Sequence, residues 1–215
     1  MTMSRLEVAM PVAANRFGQM LFAPQEISAA LAAARWRRQR HHRCTEAAIL
    51  LPLFNRDEHT HVLLIEKAQD ESRHAGQMAF PGGKLECADR SPAAAALREA
   101  QEEINLPPEQ VNVLGAMGYF RTLTSRFDAA VTVGWLPEII ALQKNPEVKS
   151  IFQIPLDALL MDFNPALKTQ TRSGLLNLHF HVQPREASRT ICIWELTARI
   201  LHYFFIALKM APDAG

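Results

Sequence analysis

One stretch, Ser91 to Leu106 (SPAAAALREAQEEINL), constrains the fold more than any other part of the chain. Ser91 is a good N-cap, and Pro92 fits the first helical position, where its missing N–H leaves no bond unmade. Four alanines, Ala93 to Ala96, then favour helix. Asn105 suits the left-handed position after the last turn, and Pro107-Pro108 bar continuation. Within this helix Glu99, Glu102 and Glu103 stand at i, i+3 and i+4, so three carboxylates share one face. Packed like charges repel, and a divalent cation compensates them. Hard oxygen ligands suit Mg²⁺ or Mn²⁺, with room left for waters and substrate phosphates. Arg98 can pair with neighbouring acids and hold one in orientation. Just upstream, Gly82-Gly83 lets the backbone approach a ligand or metal closely. Loop and acidic helix together read as a metal–diphosphate cradle.

Around this segment the pattern is mixed. Residues Pro24 to Gln39 are Ala-rich with helical spacing and predict a helix. The basic run Arg35 to Arg43 then reads as its solvated end, or as a phosphate-contacting patch. Ala47 to Phe54 and His61 to Lys67 are apolar runs around a polar turn and predict paired strands. VNVLGAMGYF and AAVTVGWL read as strands, IFQIPLDALL as a strand turning into a short helix, and LLNLHFHV as an alternating strand. ICIWELTARILHYFFIAL reads as a final helix with a strand-like start. The expected class is α+β, with short strands and a few helices in a layered sandwich.

Composition narrows the classes. Lys+Arg is 23 and Asp+Glu 22, a net charge of +1, so no global field favours coating a nucleic acid. Three scattered cysteines make neither a disulfide framework nor a zinc site, and point to a reduced compartment. No signal-like N-terminus and no run of about 18 apolar residues is present, so a cytoplasmic protein without membrane or nucleic-acid partners is expected. The apolar C-terminal helix is expected to face the core.

The segment from Gly83 resembles the Nudix box, G-x5-E-x7-R-E-U-x-E-E-x-G-U with U aliphatic. Gly83, Arg98-Glu99, Glu102-Glu103, Ala100 and Leu106 match it. Asp89 stands for the first acid, with one extra residue before Arg98, and Asn105 replaces the late glycine. Both the insertion and the Asp resemble the coenzyme A diphosphatase-like branch. The stretch LLIEKAQDESRHAGQMAFPGG, Leu63 to Gly83, is similar to that branch's upstream motif L-L-T-x-R-[SA]-x3-R-x3-G-x3-F-P-G-G. Ile65, Lys67 and Ser72 depart from it, with Arg73 one place beyond the second Arg. The resemblance runs from about Ala48 to Leu201.

The resemblance implies a Nudix fold, an α/β/α sandwich around a mixed sheet with the box as loop–helix–loop. It divides the chain into an N-terminal helical extension, 1–44, and a Nudix domain, 45–215. It implies a pyrophosphohydrolase that cleaves coenzyme A or its thioesters to 4′-phosphopantetheine, or its acyl form, and adenosine 3′,5′-bisphosphate. The alternatives are another nucleoside diphosphate derivative, such as ADP-ribose or a dinucleotide, or a silent nucleotide-sensing module. By the same analogy Glu99, Glu102, Glu103 and the Gly83 carbonyl bind Mg²⁺ or Mn²⁺, and Arg98 orients a glutamate. Glu99, or Glu147 outside the box, is the general base. Lys67, Arg73, Gly82 and Lys84 contact a coenzyme A-like nucleotide. Arg126 sits where the family carries a small, glycine-containing turn, and with Ile65 and Ser72 it is a candidate specificity position. Nudix relatives are often dimers, and the C-terminal helix supplies a candidate interface.

Overall fold

The structure, a computed structural model, describes residues 20–37, 39, 41, 43–68, 76–122, 126–138, 141–161, 169–170, 176–184 and 188–209. Two long strands organise it. Thr45–Arg56 (β1) and His59–Lys67 (β2) form an antiparallel hairpin turning at Asp57 and Glu58. Both turn residues have positive φ, 50° and 62°, which is the twist a tight hairpin needs. Short strands Met78–Ala79 (β3) and Gly82–Lys84 (β4) follow, then the helix Pro92–Ile104, and the long strands Asn112–Arg121 (β5), Phe127–Trp135 (β6) and Val148–Pro155 (β7). The sheet runs β3-β2-β1-β6-β5, with β4 added to β1 and β7 to β2. β1 and β6 are parallel and the other pairs are antiparallel, so the sheet is mixed.

The helices are α1 (Pro24–Ala33), α2 (Pro92–Ile104), α3 (Leu156–Met161) and α4 (Glu195–Ala207). Thr169–Gln170 (β8) and Leu176–Asn177 (β9) form one small ribbon, His179–Val182 (β10) and Ile191–Trp194 (β11) another. Neighbouring residues of the central strands face opposite cores. Leu50, Leu63 and Ile65 pack with Ala95, Ala96, Ala100 and Ile104 of α2. Leu51, Leu64 and Val131 pack with Ile27 and Leu31 of α1 and with Leu201, Phe204 and Phe205 of α4. A sheet apolar on both faces must be covered on both, which gives the α/β/α sandwich. Burying a leucine-sized side chain contributes about 1.5–3 kcal/mol, so these paired cores carry the fold. The final helix is a core element, as its apolar face requires. Among the described residues no helix is long and apolar enough to cross a membrane.

One expectation is corrected. α1 stops at Ala33 rather than reaching Gln39, and Ala34 is already extended. The reason lies across the sheet. Asp128 on β6 is fully buried and accepts from the Arg37 guanidinium, at 2.9 Å to Oδ2, and from the His41 amide at 2.5 Å. A buried carboxylate needs such partners, and a continued helix would not bring both to it. The chain instead runs along β5, where the Tyr119 amide donates to the Arg37 carbonyl at 2.9 Å. The basic run is therefore not a helix end.

Gly118 permits that approach. It has φ +73° at a register shift in β5, and a Cβ there would lie 2.4 Å from the Arg37 carbonyl oxygen. Gly118→Ala is expected to cost about 2 kcal/mol or more. It would appear as a lower denaturation midpoint at unchanged m-value; an unshifted midpoint would contradict this docking.

Candidate active site

The acidic helix forms as its sequence predicts. Ser91 Oγ accepts the Ala94 amide at 3.1 Å, and Asn105 closes the helix in the left-handed region at φ 54°. The alanine face turns into the core, which sets the three glutamates at different depths. The Glu103 side chain is 3% exposed, Glu99 16% and Glu102 57%. Glu103 is thus drawn under the sheet edge while Glu102 meets solvent.

The loop 81–84 is laid onto the helix by β1. Gly83 pairs with Ala48 and Gly82 with Ile49, and the Leu50 amide donates to the Pro81 carbonyl at 2.9 Å. This presses Gly83 against Glu99: a Cβ on Gly83 would lie 2.4 Å from the carboxyl carbon. The Gly82 amide donates to Glu103 Oε2 at 3.0 Å, and Lys67 Nζ donates to the other oxygen. Gly82, expected to contact substrate, thus engages Glu103 with its amide.

Arg98 ties the box together. It makes a bidentate bond to Asp89, both contacts 3.1 Å, and reaches Glu99 at 3.0 Å, Glu102 at 3.2 Å and the Lys84 carbonyl at 3.2 Å. The guanidinium holds the Asp89 carboxyl below its ordinary range. Burial pushes the Glu99 carboxyl up, opposed by Arg98 and reinforced by Glu103 and Glu102. Burial also raises Glu103, opposed by Lys67 and the Gly82 amide and reinforced by Glu147. Glu147, exposed in the turn before β7, is therefore within electrostatic reach of the box. Its carbonyl accepts the Ala68 amide at 2.8 Å, which fixes that turn beside β2.

Above the box lies a cavity of about 270 Å³, lined in part by Lys67, Gly82, Gly83 and Lys84. Phe127, Thr122, Glu195 and Thr197 contribute to it from β6, the end of β5 and α4. Sequence reasoning missed these four, because nothing local marks them. Ile65 is fully buried under α2 and does not line the cavity, so it does not select substrate by contact. Arg126 is exposed with φ 55°, a backbone state that favours glycine. Its carbonyl accepts the Thr45 amide at 3.0 Å. Arg73 and Ser72 lie outside the described residues.

Residues 45–174 match the family model described as the NUDIX domain, more than half of the chain. The chain belongs to the Nudix family. A relative from Photorhabdus laumondii subsp. laumondii, Nudix hydrolase NudL, itself described as uncharacterized, is 39% identical over 160 residues, 73% of this chain and 81% of the relative. The protein of the same name from an Enterobacter species is 34% identical over 169 residues, 78% of this chain and 84% of the relative. In fold alone, the chain is similar to a MutT/nudix family protein from Enterococcus faecalis, with TM-score 0.50 and 14% identity, covering 89% of this chain and 74% of that one. The chain is a Nudix hydrolase, a pyrophosphohydrolase of nucleoside diphosphate derivatives.

Nudix hydrolases generally use divalent metals such as Mg²⁺ or Mn²⁺. The donor set of this Nudix hydrolase fits such an ion in chemistry. It offers hard carboxylates on one helix face, with Glu99 and Glu103 raised chiefly by burial and a backbone loop pressed against Glu99. Among the described residues no three acidic, histidine or cysteine side chains converge on one point. Glu99 and Glu102 share Arg98, and Glu103 is held by Lys67 and Gly82.

Proposed function

We propose that this Nudix hydrolase cleaves the diphosphate bond of coenzyme A or its thioesters, yielding 4′-phosphopantetheine, or its acyl form, and adenosine 3′,5′-bisphosphate. The observation that carries the reading is the Leu63–Gly83 motif, which resembles the coenzyme A branch and whose last glycine, Gly83, lies through β4 directly against Glu99. We assign residues 1–44 to an N-terminal extension and 45–215 to the catalytic domain.

Glu99, Glu102, Glu103 and the Gly83 carbonyl are the residues that would hold Mg²⁺ or Mn²⁺. When bound, the ion neutralises the diphosphate and lowers the pKa of a coordinated water. Arg98 positions Glu99 and Glu102 by holding both while itself anchored on Asp89. Lys84 borders the cavity with positive charge that suits phosphate oxygens, and Lys67 lines the same wall while bonded to Glu103. Glu147, or Glu99, takes the proton from the attacking water. One phosphate of the diphosphate is attacked and the other leaves.

The test is a comparison of kcat/KM for coenzyme A, ADP-ribose and a dinucleoside polyphosphate with saturating Mg²⁺ or Mn²⁺. Coenzyme A is expected to lead by at least about tenfold, or 1.4 kcal/mol of differential transition-state binding. A lead by ADP-ribose or the dinucleotide would overturn the coenzyme A reading and leave the Nudix chemistry in place.

A further inference from the structure

A second cavity, of about 450 Å³, lies between the segment after α1, the end of β5 and α4. It neighbours the first: Arg121 lines this one and Thr122 the other, and on α4 Arg199 lines this one and Thr197 the other. Its wall includes Arg35, Trp36, Arg37, Arg121, Arg199 and Tyr203 and, among the described residues, no acidic one.

Arg199 is the telling residue. It is 3% exposed, and among the described residues its guanidinium makes one hydrogen bond, to the Arg121 carbonyl at 2.5 Å. Its Nε has no hydrogen-bond partner among the described residues. Asp128 neutralises Arg37, but no described carboxylate pairs with Arg35, Arg121 or Arg199. Burial presses the Arg199 pKa down and Arg121 adds to it, with Tyr203 and Glu195 opposing. A buried guanidinium to which no described carboxylate is bonded is costly, so the fold keeps an anion-shaped deficit here. A solvated basic surface would show neither the burial nor the cavity. Arginine forks suit phosphate bidentately, and Trp36 and Tyr203 add aromatic faces on which a base can stack.

We propose that this cavity binds a phosphate monoester, and that its occupant is the phosphate the substrate carries away from the diphosphate bond that is cut. The anion site stands on the cavity alone, whereas its use by substrate rests on the coenzyme A reading.

Binding and turnover separate the two. With metal chelated, calorimetry should show adenosine 3′,5′-bisphosphate binding about tenfold more tightly than adenosine 5′-monophosphate. That difference should vanish in Arg121→Gln and Arg199→Met. Should Arg199→Met fail to fold, Arg121→Gln and the exposed Arg35→Gln decide the result. In turnover, the kcat/KM ratio of coenzyme A to 3′-dephospho-coenzyme A should be about tenfold in the wild type and near one in Arg121→Gln. If neither coenzyme is cleaved, the coenzyme A reading fails, and the binding arm still decides the site. If inorganic phosphate binds and is lost in Arg121→Gln, with no preference between the coenzymes, the site takes free phosphate and its substrate role is overturned. Equal affinity for both nucleotides in all proteins overturns the proposal.

Discussion

Glu99→Gln is expected to lower kcat by on the order of 10²–10³-fold while leaving the metal-free protein as stable as the wild type or more so. The activity loss follows from charge. Gln keeps the shape but offers a weaker, neutral oxygen to a divalent ion, and several kcal/mol of transition-state stabilisation go with it. The stability outcome follows from the direction of the Glu99 pKa. Its carboxyl is 16% exposed and raised above the ordinary glutamate range, chiefly by burial. A group that binds its proton more tightly folded than unfolded is destabilising when ionised, and that penalty is relieved as pH falls through the folded pKa. At neutral pH the glutamine variant lacks the penalty, though it also gives up the contact with Arg98. Melting in chelator beside kcat in Mg²⁺ tests both halves. Unchanged kcat would remove Glu99 from the machinery, and a large loss of melting temperature would make it structural.

Gly83→Ala should give the second large effect. The added methyl meets the Glu99 carboxylate at 2.4 Å, the far end of a flexible side chain. The carboxylate can swing aside, so the fold survives, but a displaced catalytic group costs on the order of 10²-fold in kcat. Gly82→Ala is the contrast. Its methyl meets the Ala48 carbonyl oxygen at 2.4 Å and the Ile49 Cα at 3.0 Å, both backbone atoms of β1. Strand and loop must part there, and the expected cost is about 1–3 kcal/mol of stability. Adjacent glycines thus separate a positioning loss from a folding loss. Wild-type kcat in Gly83→Ala would contradict the contact on which the loop's role depends.

Much of this was legible in the sequence because its causes are local. Ser91, Pro92 and Asn105 mark both ends of α2, and the spacing of Glu99, Glu102 and Glu103 sets their common face. The strands β1 and β2 announce themselves as apolar runs with a polar turn between them. What was not legible depends on distant partners. Nothing near Ala33 says that the chain must leave the helix to satisfy Asp128, 91 residues beyond Arg37. Lys67 looks like a free phosphate ligand until β2 brings it to Glu103, 36 residues away. Ile65 sits in a specificity motif by position, but strand alternation turns it into the core. Glu195 and Thr197 reach the cavity only through the placement of α4.

The proposed chemistry needs the α2 carboxylates to hold a divalent ion against the Gly83 loop. Titration of Mn²⁺ into the chelator-stripped protein, followed by electron paramagnetic resonance, tests this without any choice of substrate. The wild type is expected to bind, and Glu99→Gln and Glu102→Gln to bind at least about tenfold more weakly. Equal Mn²⁺ affinity in all three proteins would contradict it.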